Sequence, residues 1–180
     1  MAKRLAALTS SAIGVLLVLG CLRALSQSQR NLALETPVPV SAEAAQRFDD
    51  KIKRLTGGSF VIDVSEEEVT SYLALRLADT IPLASPQIRF AQGQVLVAGY
   101  LTTPVRLRVT FASAVRAEQG QPKVEFQEGT LAGIRIPPFL LSSLSDTVEE
   151  LVSEIQGYPE IRHLEVTAGR LRIEGSIRTP

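Results

Sequence analysis

Residues 88–101 (IRFAQGQVLVAGYL) and 164–177 (LEVTAGRLRIEGSI) share one pattern at a separation of 76 positions: apolar-x-apolar-x-x-Gly-x-apolar-x-apolar-x-Gly-x-apolar. An internal repeat constrains a chain more than its composition does, because one supersecondary unit must serve twice. Period-two alternation on both sides of a glycine describes a β-hairpin with one apolar face. Gly93 and Gly169 fall where a short loop needs positive φ, which fits a type I turn closed by a bulge. Gly99 and Gly175 fall inside the second arm, where glycine marks a bulge or a close backbone approach. Residues 124–131 (VEFQEGTL) read as a weaker third copy, with Gly129 in the place of the loop glycine. The chain builds one-sided strands, and something must cover their apolar face.

Helical segments supply a cover. Ser41 caps an expected helix running to about Leu55, with Ala42, Ala45, Phe48 and Ile52 at helical spacing and Gly57-Gly58 beyond it. A short strand is expected over 60–64. Ser65-Glu66-Glu67-Glu68 is a capping box, and its acids suit the positive end of a helix dipole. That helix is expected to reach about Ala78. Residues 105–115 alternate, with Val105, Leu107, Val109 and Phe111 on the inner side. Pro137-Pro138 suits the first turn of a third helix that Gly157 and Pro159 stop. A helix precedes each copy of the hairpin, as if an α-β-β unit had been used twice. The expectation is an α+β domain, a curved and mostly antiparallel sheet of repeated hairpins wrapped on two or three amphipathic helices.

The N-terminus has a different character. Lys3 and Arg4 precede a mostly apolar run, Leu5 to Leu22. A run of that length is a signal peptide or a signal anchor at the lower limit for a spanning helix. Three fates are open: lipidation at Cys21 after Val18-Leu19-Gly20, cleavage at Ala24-Leu25-Ser26, or retention as a single-pass membrane helix. Each leaves Lys3 and Arg4 cytoplasmic and the body exported. The expected organisation is 1–25 signal anchor or lipoprotein signal, 26–41 extended tether carrying Pro37 and Pro39, and 42–180 a single domain.

Net charge is zero overall, but four of the 19 basic residues and none of the 19 acidic ones precede Asn31, so the body carries −4. Without clustered Lys and Arg, nucleic acid is not an expected partner. The chain has one histidine, His163, and one cysteine, Cys21, which excludes the usual zinc and Cys/His constellations from the body. Thr56-Gly57-Gly58-Ser59 lacks the lysine and helix of a phosphate loop, and no serine sits in a Gly-x-Ser-x-Gly turn. The paired acids Asp49-Asp50 and Glu149-Glu150 read as solvated helix surface. The expectation is therefore a protein that is not an enzyme and needs no cofactor or metal.

What remains is apolar surface. The inward residues Val95, Val97, Leu107, Val109, Phe111, Phe126, Leu171 and Ile173 form either an ordinary core or one wall of an apolar groove. Ile136, Phe139 and Leu140, around the Pro-Pro turn, form either the lip of such a groove or a hydrophobic staple onto their own helix. These eleven residues are the candidate lipid contacts.

The Val64-Ser-Glu-Glu-Glu-Val69 helix start, the repeated hairpins and Leu131-Ala-Gly-Ile-Arg-Ile-Pro-Pro-Phe-Leu-Leu141 resemble the LmeA-like family of bacterial envelope proteins over residues 60–178. The YpmS-like family of anchored proteins is similar to a lesser degree. The LmeA-like resemblance implies a tubular-lipid-binding-like sheet and phospholipid binding outside the bacterial cytoplasmic membrane, with no catalytic residues to transfer. A second reading is an envelope scaffold with a fully packed core, acting through an unidentified protein partner.

Overall fold

The computed structural model describes residues 36–55, 57–102, 104–154 and 159–177, with the side chains of 151–154 excepted. The expected signal or anchor, Cys21 and all of the tether before Thr36 lie outside the described residues. Among those residues no helix is long and apolar enough to cross a membrane.

The fold is α+β with antiparallel strands throughout. In chain order it runs α1 (Ala42–Lys53), β1 (Gly58–Ser65), α2 (Glu66–Arg76), β2 (Leu83–Ala91), β3 (Gln94–Leu101), β4 (Leu107–Glu118), β5 (Gln121–Leu131), β6 (Ile134–Arg135), α3 (Pro138–Glu154), β7 (Glu160–Thr167) and β8 (Arg170–Ile177). Local chemistry places the helix ends where the sequence set them. The Ser41 hydroxyl accepts from the Ala44 amide, and Ser65 and Glu68 close a complete capping box. The compact unit begins at Pro37 rather than Ala42. Val38 is buried, and its N–H donates to Gln87 Oε1 at 2.6 Å, so residues 37–40 pack on the domain.

The strands form two sheets, where a single sheet was expected. The order is β2-β3-β4-β5-β6 in an open, curved five-stranded sheet and β1-β8-β7 in a smaller one. The two copies of the repeat are β2–β3 and β7–β8, one in each sheet. They meet at their turns. The Gly93 N–H donates to the Val166 carbonyl at 2.9 Å, and the Gly169 N–H donates to the Phe90 carbonyl at 3.0 Å. Donors and acceptors are repeat-equivalent, 76 positions apart in each case, so the contact is a local pseudo-two-fold. Gly93 and Gly169 have φ of 74° and 77°. The buried cluster on this contact holds Ile88, Phe90 and Val95 from one copy and their equivalents Leu164, Val166 and Leu171 from the other, with Val64, Val69 and Leu73.

Equivalence extends to the glycines within the second arms. A methyl on Gly99 would lie 3.1 Å from the Ala84 carbonyl oxygen, and one on Gly175 would overlap the equivalent oxygen, that of Glu160. Each first arm carries an irregularity opposite, between Ala84 and Gln87 and between Ile161 and His163. Close approach, not positive φ, is what these two glycines provide. The third copy does not form a hairpin of its own. Gly129 lies inside β5, paired with Phe111, and the turn comes later, at Ala132-Gly133. Gly129 is required because Phe111, Ile136 and Leu141 fill the space a side chain would take.

Both long edges of the five-stranded sheet are covered by helices, which suppresses edge-to-edge association. On β2 the Ile88 N–H donates to Thr70 Oγ1 (3.0 Å) and the Phe90 N–H to Glu66 Oε1 (2.7 Å), both from α2. On β5 the Phe126 N–H donates to Ser145 Oγ of α3 (3.0 Å). The turns at 92–93 and 119–120 abut β7, where the Ile161 N–H donates to the Gly120 carbonyl. At the opposite end β2, β4 and β6 begin and β3 and β5 finish, and among the described residues no helix lies across these strand ends.

Candidate functional site

The eleven candidate contacts divide between core and surface. Val109 is fully buried, and Val95, Val97 and Leu171 pack against the central cluster. Ile173 is half-buried in the small sheet, paired with Leu164 and Ile62. Phe111 and Phe126 meet edge to face at 5.3 Å between ring centroids, and Phe111 and Ile136 close over Gly129 with Leu141. Leu107 is half-buried near the open end. Phe139 and Leu140, at the start of α3, point into solvent; Phe139 is 68% exposed. Val105, expected to face in, precedes β4 and is exposed. The strands at the sheet centre bury the other face as well, through Leu96, Ala98 and Ala112, which the one-sided reading did not anticipate.

An apolar groove does exist, formed by residues outside that set. Val40, Ala74, Ala78, Leu83, Ala84 and Pro86 line it, with Ser85, Gln87 and Thr102, and it holds about 470 Å³. That volume falls within the roughly 300–1,000 Å³ typical of small-molecule sites. The segment before α1 supplies Val40, α2 and the turn after it supply Ala74 and Ala78, the irregular start of β2 supplies Leu83 to Gln87, and Thr102 follows β3. The β2 bulge puts Ser85 at φ 50°, a conformation that costs a non-glycine residue about 1 kcal/mol or more. Gln87 is held on both sides, accepting from Val38 N–H and donating to the Pro86 carbonyl at 3.1 Å. Among the described residues no ionisable side chain lines the groove, so the lining they provide suits a neutral apolar ligand segment.

Two other concavities are polar. One, of about 160 Å³, lies between Glu118, Lys123 and Glu149. The other, about 240 Å³, contains Arg47, Lys51, Asp63, Glu68 and Arg170. Glu68 is its buried group. Burial pushes its carboxyl up, but hydrogen bonds from Lys51 Nζ (2.7 Å) and the Ser65 N–H (3.0 Å), with the charges of Lys51 and Arg47, outweigh that and hold it below the ordinary value. Glu68 thereby ties α2 to α1 and β1 as a satisfied structural node. His163 is exposed on β7, 4.0 Å from Glu165.

Nothing in the sequence signals the groove. Its walls are alanines, a proline and two aliphatics without period, and small residues create the space by what they omit. Compared with models of protein families, with curated proteins and with solved structures, the chain matches none.

Proposed function

We propose that the domain is a non-enzymatic lipid-binding module of the bacterial cell envelope, tethered at the membrane by its N-terminal apolar segment and accommodating acyl chain at the open end of the large sheet. The observation that carries this reading is the uncharged 470 Å³ groove between Val40, α2 and β2. An acyl chain gains about 0.8 kcal/mol per buried methylene, so six to eight methylenes supply roughly 5–6 kcal/mol before the cost of immobilising the chain. The LmeA-like resemblance points the same way. The eleven core and rim residues expected from sequence act here as support, apart from Phe139 and Leu140, whose exposure suits contact with lipid.

The test is native mass spectrometry of purified residues 31–180, folded by circular dichroism, together with titration of a fluorescent fatty acid. Bound lipid or saturable fatty-acid fluorescence supports the reading. A folded protein that carries no lipid and leaves the fatty acid free contradicts it and favours the scaffold reading.

A further inference from the structure

The open end of the five-stranded sheet gathers apolar and cationic surface. Among the described residues, Val40, Tyr100, Val105, Ile134, Phe139 and Leu140 are exposed large apolar side chains at or beside the strand ends that form it. Its outermost members are Ile134 (74% exposed), Phe139 (68%) and Val105 (61%), with Leu140 beside them. The backbone holds them together. The Ala132 N–H donates to the Arg108 carbonyl at 2.7 Å, Leu131 pairs with Ile134, and α3 starts three residues after β6. Arg106, Arg108 and Arg135 are exposed among these residues. Arg106 lies 4.8 Å over the Tyr100 ring, and none of the three forms an ion pair among the described residues. The sequence has no Asp or Glu from residue 99 to 117 or from 129 to 145. Asp79, in the α2–β2 link, is an acid on the α2 side of this end. The chain also enters the domain here, through Val38 and Val40.

We infer that this end docks on an anionic bilayer surface, with Val105, Ile134, Phe139 and Leu140 entering the headgroup–acyl boundary and Arg106, Arg108 and Arg135 facing anionic headgroups. Large apolar side chains exposed at one end of a domain mark an interaction surface. Its unpaired arginines, in a domain whose body is net acidic, give it the charge complementarity of an anionic interface. The inference rests on the lipid-binding reading and adds the orientation. The groove opens at the same end, so docking sets its mouth against the source of acyl chains.

The chain contains no tryptophan, so Phe139→Trp in the full chain creates a sole reporter. Reconstituted into phosphatidylcholine/phosphatidylglycerol vesicles with brominated acyl chains, this tryptophan should be blue-shifted and quenched. Val61→Trp, on β1, should stay unquenched. Reversing all three arginines to Glu should undo the quenching, since losing each arginine weakens docking about fivefold, and three charge reversals weaken it by roughly a hundredfold at least. Absence of quenching at position 139, or equal quenching in pure phosphatidylcholine that survives the arginine reversals, overturns the inference and assigns the patch to a protein partner. The arginine variant should keep its fatty-acid binding. Loss of docking with fatty-acid binding intact bears on this surface alone, whereas loss of fatty-acid binding in the wild type bears on the groove.

Discussion

Adding one methyl to each of the equivalent glycines of the repeat should give unequal results. At Gly99 an alanine Cβ would sit 2.7 Å from Leu83 Cδ1 and 3.1 Å from the Ala84 carbonyl oxygen. The tighter neighbour is the end of a half-buried leucine facing the groove, which can rotate away. At Gly175 the obstacles are the Glu160 carbonyl oxygen and, at 2.7 Å, Phe60 Cζ. That carbonyl belongs to β7, whose register is tied down by Val166, Gly93 and Gly120, so relief requires the β7–β8 pair to part. Overpacking against fixed structure costs about 1–3 kcal/mol, sometimes more, while restricting the unfolded chain returns about 0.4–1 kcal/mol. With the overlap at Gly175 set against fixed backbone, in the upper part of that range, Gly175→Ala should lose about 1–2.5 kcal/mol net, and Gly99→Ala between zero and about 1 kcal/mol. Urea unfolding of residues 31–180 followed by circular dichroism measures both, with the double variant additive to within about 0.5 kcal/mol because the sites share no neighbours. A Gly175→Ala protein as stable as wild type, or a Gly99→Ala protein the weaker of the two, would refute the register on which the pseudo-two-fold rests.

Three further outcomes follow from the same geometry. Glu68→Ala removes half of a capping box and the partner of Lys51, and should cost about 1–3 kcal/mol at pH 7 in urea unfolding. Because the folded carboxyl is held below its ordinary value, its ionised-state contribution is complete above that ordinary value and disappears as pH falls through the folded one; the gap between wild type and variant should narrow as the pH is lowered through the acidic range, and a gap independent of pH would contradict the assignment. Phe139→Ser should leave thermal stability within about 0.5 kcal/mol of wild type, as befits an exposed site, while weakening vesicle binding in a flotation assay. Ser145→Ala leaves the Phe126 N–H without its side-chain acceptor and should cost about 1–3 kcal/mol; an unchanged midpoint would show that α3 is not held to β5 through this hydroxyl.

Much of the fold is legible because its signals are local. Ser41 and Ser65 announce helix starts through hydrogen bonds three residues long, and the two glycines of each repeat mark a turn and a close approach within one hairpin. Pairing between distant segments carries no such mark. That β1 joins β8 depends on what lies opposite Val64 and Leu171, and the split into two sheets follows from it. Gly129 misleads for a physical reason. A glycine needed to admit Leu141 reads the same as one needed for positive φ. The groove was not legible, while at the exposed end of the sheet Ile136, Phe139 and Leu140 stand out as apolar residues around a Pro-Pro turn. Val95 and Val97 are apolar because they pack, and alternation alone does not separate packing from ligand contact. Val38 and Val40 sit in a Pro-containing stretch with the composition of a linker, so nothing in their sequence foretells that they pack on β2.

The proposal of lipid binding at the groove is tested most directly by filling the groove. Ala78 lines it from an exposed turn, and Ala78→Trp places an indole in the space without touching the core. Titrated with a fluorescent fatty acid, residues 31–180 should bind saturably, and the Ala78→Trp form should bind at least about tenfold more weakly, a loss of roughly 1.4 kcal/mol, with its melting temperature unchanged. Equal affinity in the two proteins, or no saturable binding in either, would contradict it.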